Sequence, residues 1–324
     1  MLEEVRESPK ENLINVVVHN NDSHNDATEV RFEIPTKHGK TVFFQKKGHL
    51  FETVKTAPIV TYHDLGLNHT TCFGPLFEHP NIKSILPYLN IIHIEAPGHE
   101  FNSETIPASK YPTIVEMAEE IEFVLDHLKI KSFIGLGAGA GGCVLTQFAL
   151  LFPRYVQGLV LIGSVIKSFS WLDLIKSWVE LTTLPSLKNP EGVLNYLLNH
   201  YYSDNLDKTN PDLLESIKRE MRMINSDNLY HYVHSFVKRE DIKTSEMNSL
   251  SCKILLIVGK DSSHKEDIID LFSNFNPKNS TILQVPNCGI LVTAEKPGTI
   301  IEPIKLFMQG LGYLLDYYQT VDPQ

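Results

Sequence analysis

The spacing of apolar residues divides the chain into segments of strand and helix character. Four short apolar runs alternate with stretches in which apolar residues recur at helical spacing. One of these helical stretches, residues 113–128, begins with a Thr113-x-x-Glu116 capping box. Because strands that alternate with helices form βαβ units, this pattern predicts a mostly parallel sheet buried between helices. The predicted strands are residues 59–62, 91–94, 133–136 and 159–162.

Further apolar segments extend this sheet at both ends of the chain. Residues 30–34 and 41–44 flank a turn at Gly39 and predict an antiparallel hairpin, beside which residues 16–18 could pair as an edge strand. Near the other end, two more strands are predicted ahead of a closing helix. These segments are residues 254–258, 281–285 and 304–314.

Strand character is interrupted between residues 165 and 249. Apolar residues recur there at helical spacing, which predicts a helical insertion after the sixth strand. A doubly wound, mostly parallel sheet with an inserted helical cap is the architecture of capped α/β hydrolases, which is the fold class we predict. The predicted organisation is a lead-in at 1–28, a first core part at 29–164, the cap at 165–249, a second core part at 250–318 and a short tail at 319–324.

A glycine-rich turn follows the strand at 133–136. Gly137, Gly139 and Gly141 have the spacing of the G-x-S-x-G nucleophile elbow, but glycine stands at the central position. Glycine has no side chain that could attack an acyl group. Unless another residue supplies a nucleophile, this turn cannot carry out acyl transfer.

The other two members of a hydrolase triad would follow as an acid and then a histidine. Asp261 comes directly after the strand at 254–258, where the acid would lie. With no base to orient, we expect a structural or vestigial role for Asp261, since Asp readily bonds its own backbone in turns. Ile290 stands at the histidine position. Because losing one triad member already costs several powers of ten in rate, we predict that the chain is not an enzyme.

His63 and Asp64 close the first parallel strand, in the place of the His-Gly pair of a hydrolase oxyanion loop. A carboxylate beside a developing oxyanion is unfavourable, so Asp64 predicts an altered oxyanion hole. We expect no other residue to supply the missing nucleophile or base. We expect Cys143 to be a packed thiol, His264 to lie in a solvated loop rather than in a dyad with the nearby acid, and Ser164 to be a turn or cap residue.

The same glycines fit the G-x-G-x-x-G fingerprint of dinucleotide-binding folds over residues 137–142. The next strand, however, ends in Gly163-Ser164 and has no acid to bind a ribose. We therefore predict no dinucleotide. The 14 histidines are dispersed and the four cysteines show no C-x-x-C pair, so no metal or other cofactor is predicted either.

Charge and hydropathy exclude several other classes. The 324 residues include 29 Lys and Arg against 39 Asp and Glu, a net charge of -10, which argues against nucleic-acid binding. No apolar run approaches the length of a membrane-spanning helix, and the charged start lacks a signal-peptide core. We expect a cytoplasmic protein without a transmembrane segment, and peripheral membrane contact stays open.

Two unusual patterns occur together in this chain: the elbow without serine and the His63-Asp64-x-Gly66-x-Asn68 segment. Further distinctive segments lie in the same order along the chain, and the full set is 62–69, 72–77, 95–98, 135–141, 158–162 and 309–313. Together these segments resemble the N-myc downstream-regulated (NDRG) family, over roughly residues 28–315.

This resemblance implies a catalytically inactive α/β-hydrolase fold in a cytoplasmic protein of growth control, differentiation, stress response and signal transduction, which acts through protein partners. Some members carry a Ser/Thr/Arg-rich, phosphorylated extension, whereas only residues 319–324 follow Tyr318 here, so regulation through such a tail is in doubt. The alternative is an atypical hydrolase or a small-molecule-binding protein that uses the cleft between core and cap.

The cap is the predicted interaction surface. Its aromatic residues must bury one stripe against the core, and any that face outward would form a contact patch. Lids vary more freely than the sheet beneath them, which favours the cap as the place where partners bind. The aromatic residues concerned are Trp171, Trp178, Tyr201 and Tyr202.

Overall fold

The computed structural model describes residues 17–18, 29–52, 58–164, 166, 190–202 and 211–317. In this part of the chain one nine-stranded sheet has the order β1-β2-β3-β5-β4-β6-β7-β8-β9. The strands are β1 (Val17–Val18), β2 (Glu29–Thr36), β3 (Gly39–Lys47), β4 (Ile59–Tyr62), β5 (Asn90–Ile94), β6 (Phe133–Ala138), β7 (Val156–Ile162), β8 (Lys253–Gly259) and β9 (Ser280–Val285).

Ten α-helices lie within the described residues. Short 3-10 turns add Pro80–Ile82, Leu86–Tyr88, Ala108–Lys110 and Pro153–Tyr155. The helices are α1 (His69–Phe77), α2 (Ile114–His127), α3 (Gly139–Leu151), α4 (Pro190–Tyr201), α5 (Pro211–Met221), α6 (Ser226–Val237), α7 (Thr244–Ser249), α8 (Lys265–Phe272), α9 (Val292–Glu295) and α10 (Pro297–Gly310).

The sheet is antiparallel at one side and parallel through its centre. β1, β2, β3 and β5 pair antiparallel in turn, which confirms the hairpin and the edge strand that the sequence indicated. From β5 through β4, β6, β7 and β8 to β9 every pairing is parallel. The carboxyl ends of the central strands therefore meet at one edge, where α/β folds place their sites.

Alternate strand residues enter two cores on opposite faces of the sheet. Ile59 belongs to one cluster and its neighbour Val60 to the other. Helices α1, α9 and α10 cover the first face, and α2, α3 and α8 cover the second. All six residues of β6 are buried, as expected for a strand covered on both faces. This is the predicted α/β-hydrolase layering.

The structure corrects two boundaries. The cap follows the seventh strand rather than the sixth, because β1 pairs as a strand. The closing helix α10 ends at Gly310, four residues before the predicted end. Gly312 has φ +83° and donates to the Gln309 carbonyl, while Tyr313 donates to Met308, so a Schellman motif stops the helix there.

The described part of the cap consists of α4, α5, α6 and α7. α4 and α5 bury Leu197, Ile217 and Met221 against the first core. Tyr201 and Tyr202 are 1% and 6% exposed, so these two aromatics pack internally and do not form an outward patch. Trp171 and Trp178 lie outside the described residues. Within the described ranges, no helix combines the length and the apolar character that crossing a bilayer requires.

Candidate functional site

The elbow lies where β6 passes directly into α3. Gly139, the first residue of α3, has φ +48°, a left-handed conformation that an L side chain adopts only with strain. Gly141 packs so closely on the carbonyl of Tyr62 that a Cβ at this position would overlap it. The turn therefore has the sharp, tightly packed geometry of a nucleophile elbow, with no side chain at its centre.

The Asp64 carboxylate fills the space above Gly139. A Cβ placed on Gly139 would lie well under 3.0 Å from the carboxylate atoms of Asp64, closer than real Cβ contacts. Asp64 is 6% exposed. The volume that a residue 139 side chain would need is therefore already taken by another side chain of the same protein.

The same carboxylate accepts the two backbone N–H groups that flank this space. Asp64 Oδ1 accepts the Ala140 N–H at 2.8 Å and the Leu65 N–H at 2.8 Å. In α/β hydrolases, the residue after the nucleophile and the loop after the first parallel strands supply the oxyanion-hole donors. Burial raises the pKa of Asp64, and these N–H groups oppose the rise.

Two tyrosines of the cap close over this arrangement. The carbonyl of Tyr201 accepts the N–H of Ile290 at 2.9 Å and that of Leu291 at 3.0 Å, while its hydroxyl donates to the Leu65 carbonyl at 2.5 Å. The Tyr232 hydroxyl donates to the His63 carbonyl at 3.3 Å. The cap thus binds both the oxyanion loop and the segment at the histidine position.

The sequence-predicted positions are only partly brought together. Gly139 lies against the Asp64 carboxylate. Ile290, 3% exposed, is linked to the oxyanion loop through Tyr201, whose carbonyl accepts the Ile290 N–H and whose hydroxyl donates to the Leu65 carbonyl. Asp261 is exposed, and its backbone N–H donates to the Cys288 carbonyl at 3.0 Å. The His264 side chain is 18% exposed, packs edge-on against the His200 ring and lies 3.5 Å from Asp267. An exposed carboxylate is poorly placed to orient a buried base.

Two further candidates are buried. Cys143 is 2% exposed, which confirms the packed thiol, and burial raises its pKa despite the nearby Arg239 guanidinium. Ser164 is 1% exposed, and its hydroxyl donates to the Ile162 carbonyl at 3.3 Å. Within the described part of the chain, neither side chain contacts a general base of the kind that activates a nucleophile.

A buried charge network behind the oxyanion loop was not foreseen from the sequence. The Glu95 carboxylate, 2% exposed, forms an ion pair with His69, and His69 also lies 3.6 Å from Glu29. Burial disfavours the His69 cation, but Glu95 and Glu29 outweigh it and raise the His69 pKa to about 9. The partners are 26 residues apart, so no local motif could have indicated the pair.

His63 orients the loop through both ring nitrogens. Because the Asp64 carbonyl can only accept, His63 Nδ1 donates to it at 2.8 Å, and Nε2 then accepts the Ala96 N–H at 2.9 Å. The ring is 0% exposed. Nε2 also lies 3.1 Å from Glu95 Oε2, so the described contacts of the ring join the oxyanion loop to the backbone and the carboxylate that follow β5.

A separate cavity of 690 Å³ lies between cap helix α6 and core helices α2 and α3. Its walls mix apolar side chains with charges of both signs, including Arg239 and Asp241, and Cys143 also lines it. The volume is in the range of small-molecule sites. In the described ranges, no group of three or more His, Cys, Asp or Glu side chains is arranged to hold a metal ion.

Sequence comparison identifies related proteins across almost the whole chain. The model of the Ndr family matches residues 32–315. The chain is 71% identical over 318 residues to an NDRG-like protein of Dictyostelium discoideum, covering 98% of this chain and 96% of the relative. It is 34% identical over 266 residues to protein NDRG3 of Xenopus tropicalis, covering 79% of this chain and 67% of the relative.

Comparison of structures finds esterases. An esterase from Thermogutta terrifontis superposes with a TM-score of 0.73 at 18% identity, over 87% of this chain and 98% of the esterase. Carboxylesterase CesB from Bacillus subtilis gives a TM-score of 0.66 at 20% identity, over 86% of this chain and 91% of the enzyme. At this identity the likeness shows the α/β-hydrolase fold. The match to the family model and the identity to the NDRG-like relative show that the chain belongs to the Ndr family.

Proposed function

We propose that this chain is a non-enzymatic α/β-hydrolase-fold protein of the NDRG type that acts through protein partners. The single observation that carries the proposal is the Asp64 carboxylate, which fills the space above Gly139 and accepts the N–H groups of Ala140 and Leu65. A site so occupied offers neither a nucleophile nor oxyanion donors to an acyl substrate.

The rate that oxyanion-hole donors contribute to a hydrolase supports the absence of catalysis in this proposal. Removing one oxyanion donor from a working hydrolase costs roughly 10²–10³ in rate. Here both N–H groups point at a carboxylate, which would repel a developing oxyanion. In this proposal Gly139, Asp261 and Ile290 are vestigial triad positions, and His63 and Asp64 form an altered oxyanion loop.

The proposed cellular role follows from the family. We infer a cytoplasmic role in signal transduction, differentiation or stress response, with the cap as the interaction surface. Because Tyr201 and Tyr202 are buried, this surface must use other side chains. Met223, between α5 and α6, is 46% exposed and is a large apolar residue of the kind that anchors contacts.

One alternative has an observation in its favour. The 690 Å³ cavity under α6 is large enough for a small-molecule ligand. A ligand there would contact both cap and core, and it would bind without using the elbow. Ligand binding in this cavity is compatible with partner recognition through the cap. It does not require acyl hydrolysis at Gly139.

The experiment compares three variants in cells from which the native chain has been removed. Asp64→Asn keeps the size of the side chain and is expected to restore the cellular phenotype. Met223→Arg is expected to fail and to lose co-purifying partners. Leu306→Arg, at a 54% exposed position of α10 outside the cap, is the matched control and is expected to behave as wild type.

Failure of a folded Asp64→Asn protein to restore the phenotype would show that the chemistry of the site is needed. Equal partner recovery from the Met223→Arg and Leu306→Arg proteins would place the interaction surface outside the exposed cap around residue 223. Circular dichroism and urea unfolding establish that each variant is folded before partner recovery is compared.

A further inference from the structure

Strand β9 forms one edge of the nine-stranded sheet. Among the described residues it pairs only with β8, in an uninterrupted parallel register from Ser280 to Val285. Each of β4, β5, β6, β7 and β8 has a strand on both sides. The side chains of β9 are less buried than those of these inner strands, and Thr281 and Gln284 are exposed. The sheet can therefore be extended at β9.

The hydrogen bonds to β8 show which backbone groups of β9 point outward. The Asn279 carbonyl accepts the N–H of Ile254 at 2.7 Å, and the Val285 carbonyl accepts that of Lys260 at 2.8 Å. Because successive residues of a strand point their backbone groups in opposite directions, the odd-numbered residues of β9 face β8, and residues 280, 282 and 284 face outward. Within the described ranges, no hydrogen bond satisfies these outward N–H and C=O groups.

This edge lacks the features that usually prevent pairing with another strand. Proteins protect their edges with charged residues, prolines or bulges within the strand. The sequence of β9, Ser-Thr-Ile-Leu-Gln-Val, has no charge and no proline, and its register with β8 has no bulge. Pro286, directly after the strand, removes the next outward donor. The outward donors are thus confined to three residues, which limits the registers that an added strand can take.

The three outward residues match a second copy of themselves. In an antiparallel pair, two residues that are opposite each other at a hydrogen-bonded position exchange both of their backbone bonds. A two-fold axis beside Ile282 sets Ile282 opposite Ile282 of the second copy and Ser280 opposite Gln284. All outward groups of these residues are then satisfied in both copies. A register moved by two residues would bring Pro286 or Lys278 into the ladder instead.

The side chains of the edge fit the same arrangement. Ile282 packs against the core under α8, and Leu283 packs against the core on the other face, but both are only partly buried. Across the two-fold axis Ile282 meets its own copy, and Leu283 meets Thr281. Cross-strand pairs of aliphatic and β-branched residues stabilise antiparallel sheets, and the pairing removes the remaining apolar surface of these side chains from water.

Charges at the two ends of the edge are complementary. The exposed Lys278 precedes β9 at the amino end of the strands. At the carboxyl end, where α8 begins, the side chains of Glu266 and Asp267 are 79% and 60% exposed. Antiparallel pairing places the amino end of one copy beside the carboxyl end of the other. Lys278 of each copy therefore comes to the acidic end of its partner, which favours this orientation.

We propose that β9 is a self-association edge, at which two copies of this chain pair antiparallel and form one continuous sheet. The contact is isologous, since each copy contributes the same residues around the two-fold axis. It lies at the side of the sheet and uses neither the elbow nor the cap. Self-association through β9 is therefore independent of the proposed function.

The first test is sedimentation equilibrium of the full chain over a concentration series. We expect a reversible monomer–dimer equilibrium, in which the mass rises with concentration from 36.7 kDa towards twice that value. Two variants change the edge and leave the bonds to β8 in place. Thr281→Lys adds a charge at an exposed side chain, and Gln284→Pro removes an outward N–H. Each is expected to raise the dimer dissociation constant by roughly tenfold or more.

Gln157→Lys is the matched control for these variants. It places a lysine at an exposed position of β7, a strand that has neighbours on both sides, and it is expected to associate as wild type. Circular dichroism and urea unfolding establish that each variant is folded before the dissociation constants are compared.

A second test measures the register by disulfide cross-linking with copper phenanthroline. At a hydrogen-bonded antiparallel pair the two Cα atoms lie about 5.5 Å apart, a distance that a disulfide spans, so Ile282→Cys is expected to give a covalent dimer. In Gln284→Cys the two new thiols lie roughly 13 Å apart along the paired strands, so this variant measures random collisions. The native cysteines are all buried and contribute little background.

Three results would overturn the proposal. A chain that stays monomeric across the series would leave the edge to a strand of a different protein. A dimer that folded Thr281→Lys and Gln284→Pro proteins form as readily as Gln157→Lys would use another surface. Cross-linking of Ile282→Cys no faster than that of Gln284→Cys would exclude the antiparallel register around residue 282.

Discussion

Asp64 and Gly139 form one structural unit, because the side chain of the first occupies the space that the second leaves empty. The glycine permits a left-handed turn at φ +48°, and the carboxylate satisfies two N–H groups that would otherwise be buried without partners. The effect of a substitution at either residue on the free energy of unfolding should therefore depend on which side chain the other residue has.

A double-mutant cycle measures this dependence. Gly139→Ser is expected to reduce the free energy of unfolding by about 2–4 kcal/mol, since it adds left-handed strain to a clash with Asp64. In an Asp64→Gly background the clash is gone, and we expect a smaller loss, with a coupling of roughly 1–3 kcal/mol. Urea unfolding of the four proteins gives the coupling, and strictly additive losses would show that the two side chains do not compete for space.

The His69–Glu95 pair predicts a pH dependence of stability. The folded-state pKa of His69, about 9, lies above its ordinary value of 6.5. The cation therefore stabilises the fold fully below pH 6.5, and this contribution is lost as the pH rises through 9. A shift of this size corresponds to about 3 kcal/mol.

We expect the free energy of unfolding to fall between pH 7 and pH 10 more steeply in the wild type than in His69→Gln. The variant has no imidazole to deprotonate in this range, and the difference between the two curves removes the contribution of lysines, tyrosines and thiols. Parallel curves would mean that His69 titrates near its ordinary value. His127→Gln, at a residue outside the network, is the matched control and should follow the wild type.

At the scale of elements, the cap is joined to the core at specific points. Tyr201 at the end of α4 bonds to the segment after β9 and to the oxyanion loop, and Asn228 at the start of α6 bonds to the loop after β5. Both residues are nearly or fully buried. These contacts join cap helices α4 and α6 to three loops of the core.

Asn228→Ala should loosen one of these junctions. The change leaves the Gly98 and Glu104 carbonyls and the Ile106 N–H without their partner, and we expect a loss of about 2–4 kcal/mol in the free energy of unfolding. Hydrogen exchange should accelerate in Ser226–Val237 and in residues 98–106 more than in β6. Uniform acceleration across all strands would mean that the residue stabilises the whole fold and not this junction.

Element prediction succeeded where the signal was local. The capping box of α2 is present, with Thr113 accepting the Glu116 N–H, and the strand runs are all confirmed as strands. The end of α10 was missed, because apolar periodicity continues past Gly310 while the Schellman motif depends on the backbone of Gly312. Periodicity shows which face is buried, but it does not show where a helix stops.

At the scale of the whole molecule, the fold class could be predicted because strands that alternate with helices indicate a parallel sheet, and the family because several short segments carry its motifs. The site could be predicted only in part. Gly139 and Ile290 are visible as substitutions in a motif, but the position of the Asp64 carboxylate depends on a contact across 76 residues with Ala140.

The central claim is that the elbow does not catalyse acyl transfer, and the hydrolysis of p-nitrophenyl acetate by the purified chain tests it most directly. We predict an initial rate equal to that of a protein blank, and no saturable activity from Gly139→Ser combined with Ile290→His while Asp64 remains. Saturable turnover by the wild type that is abolished in Asp261→Ala or His63→Ala would contradict the account.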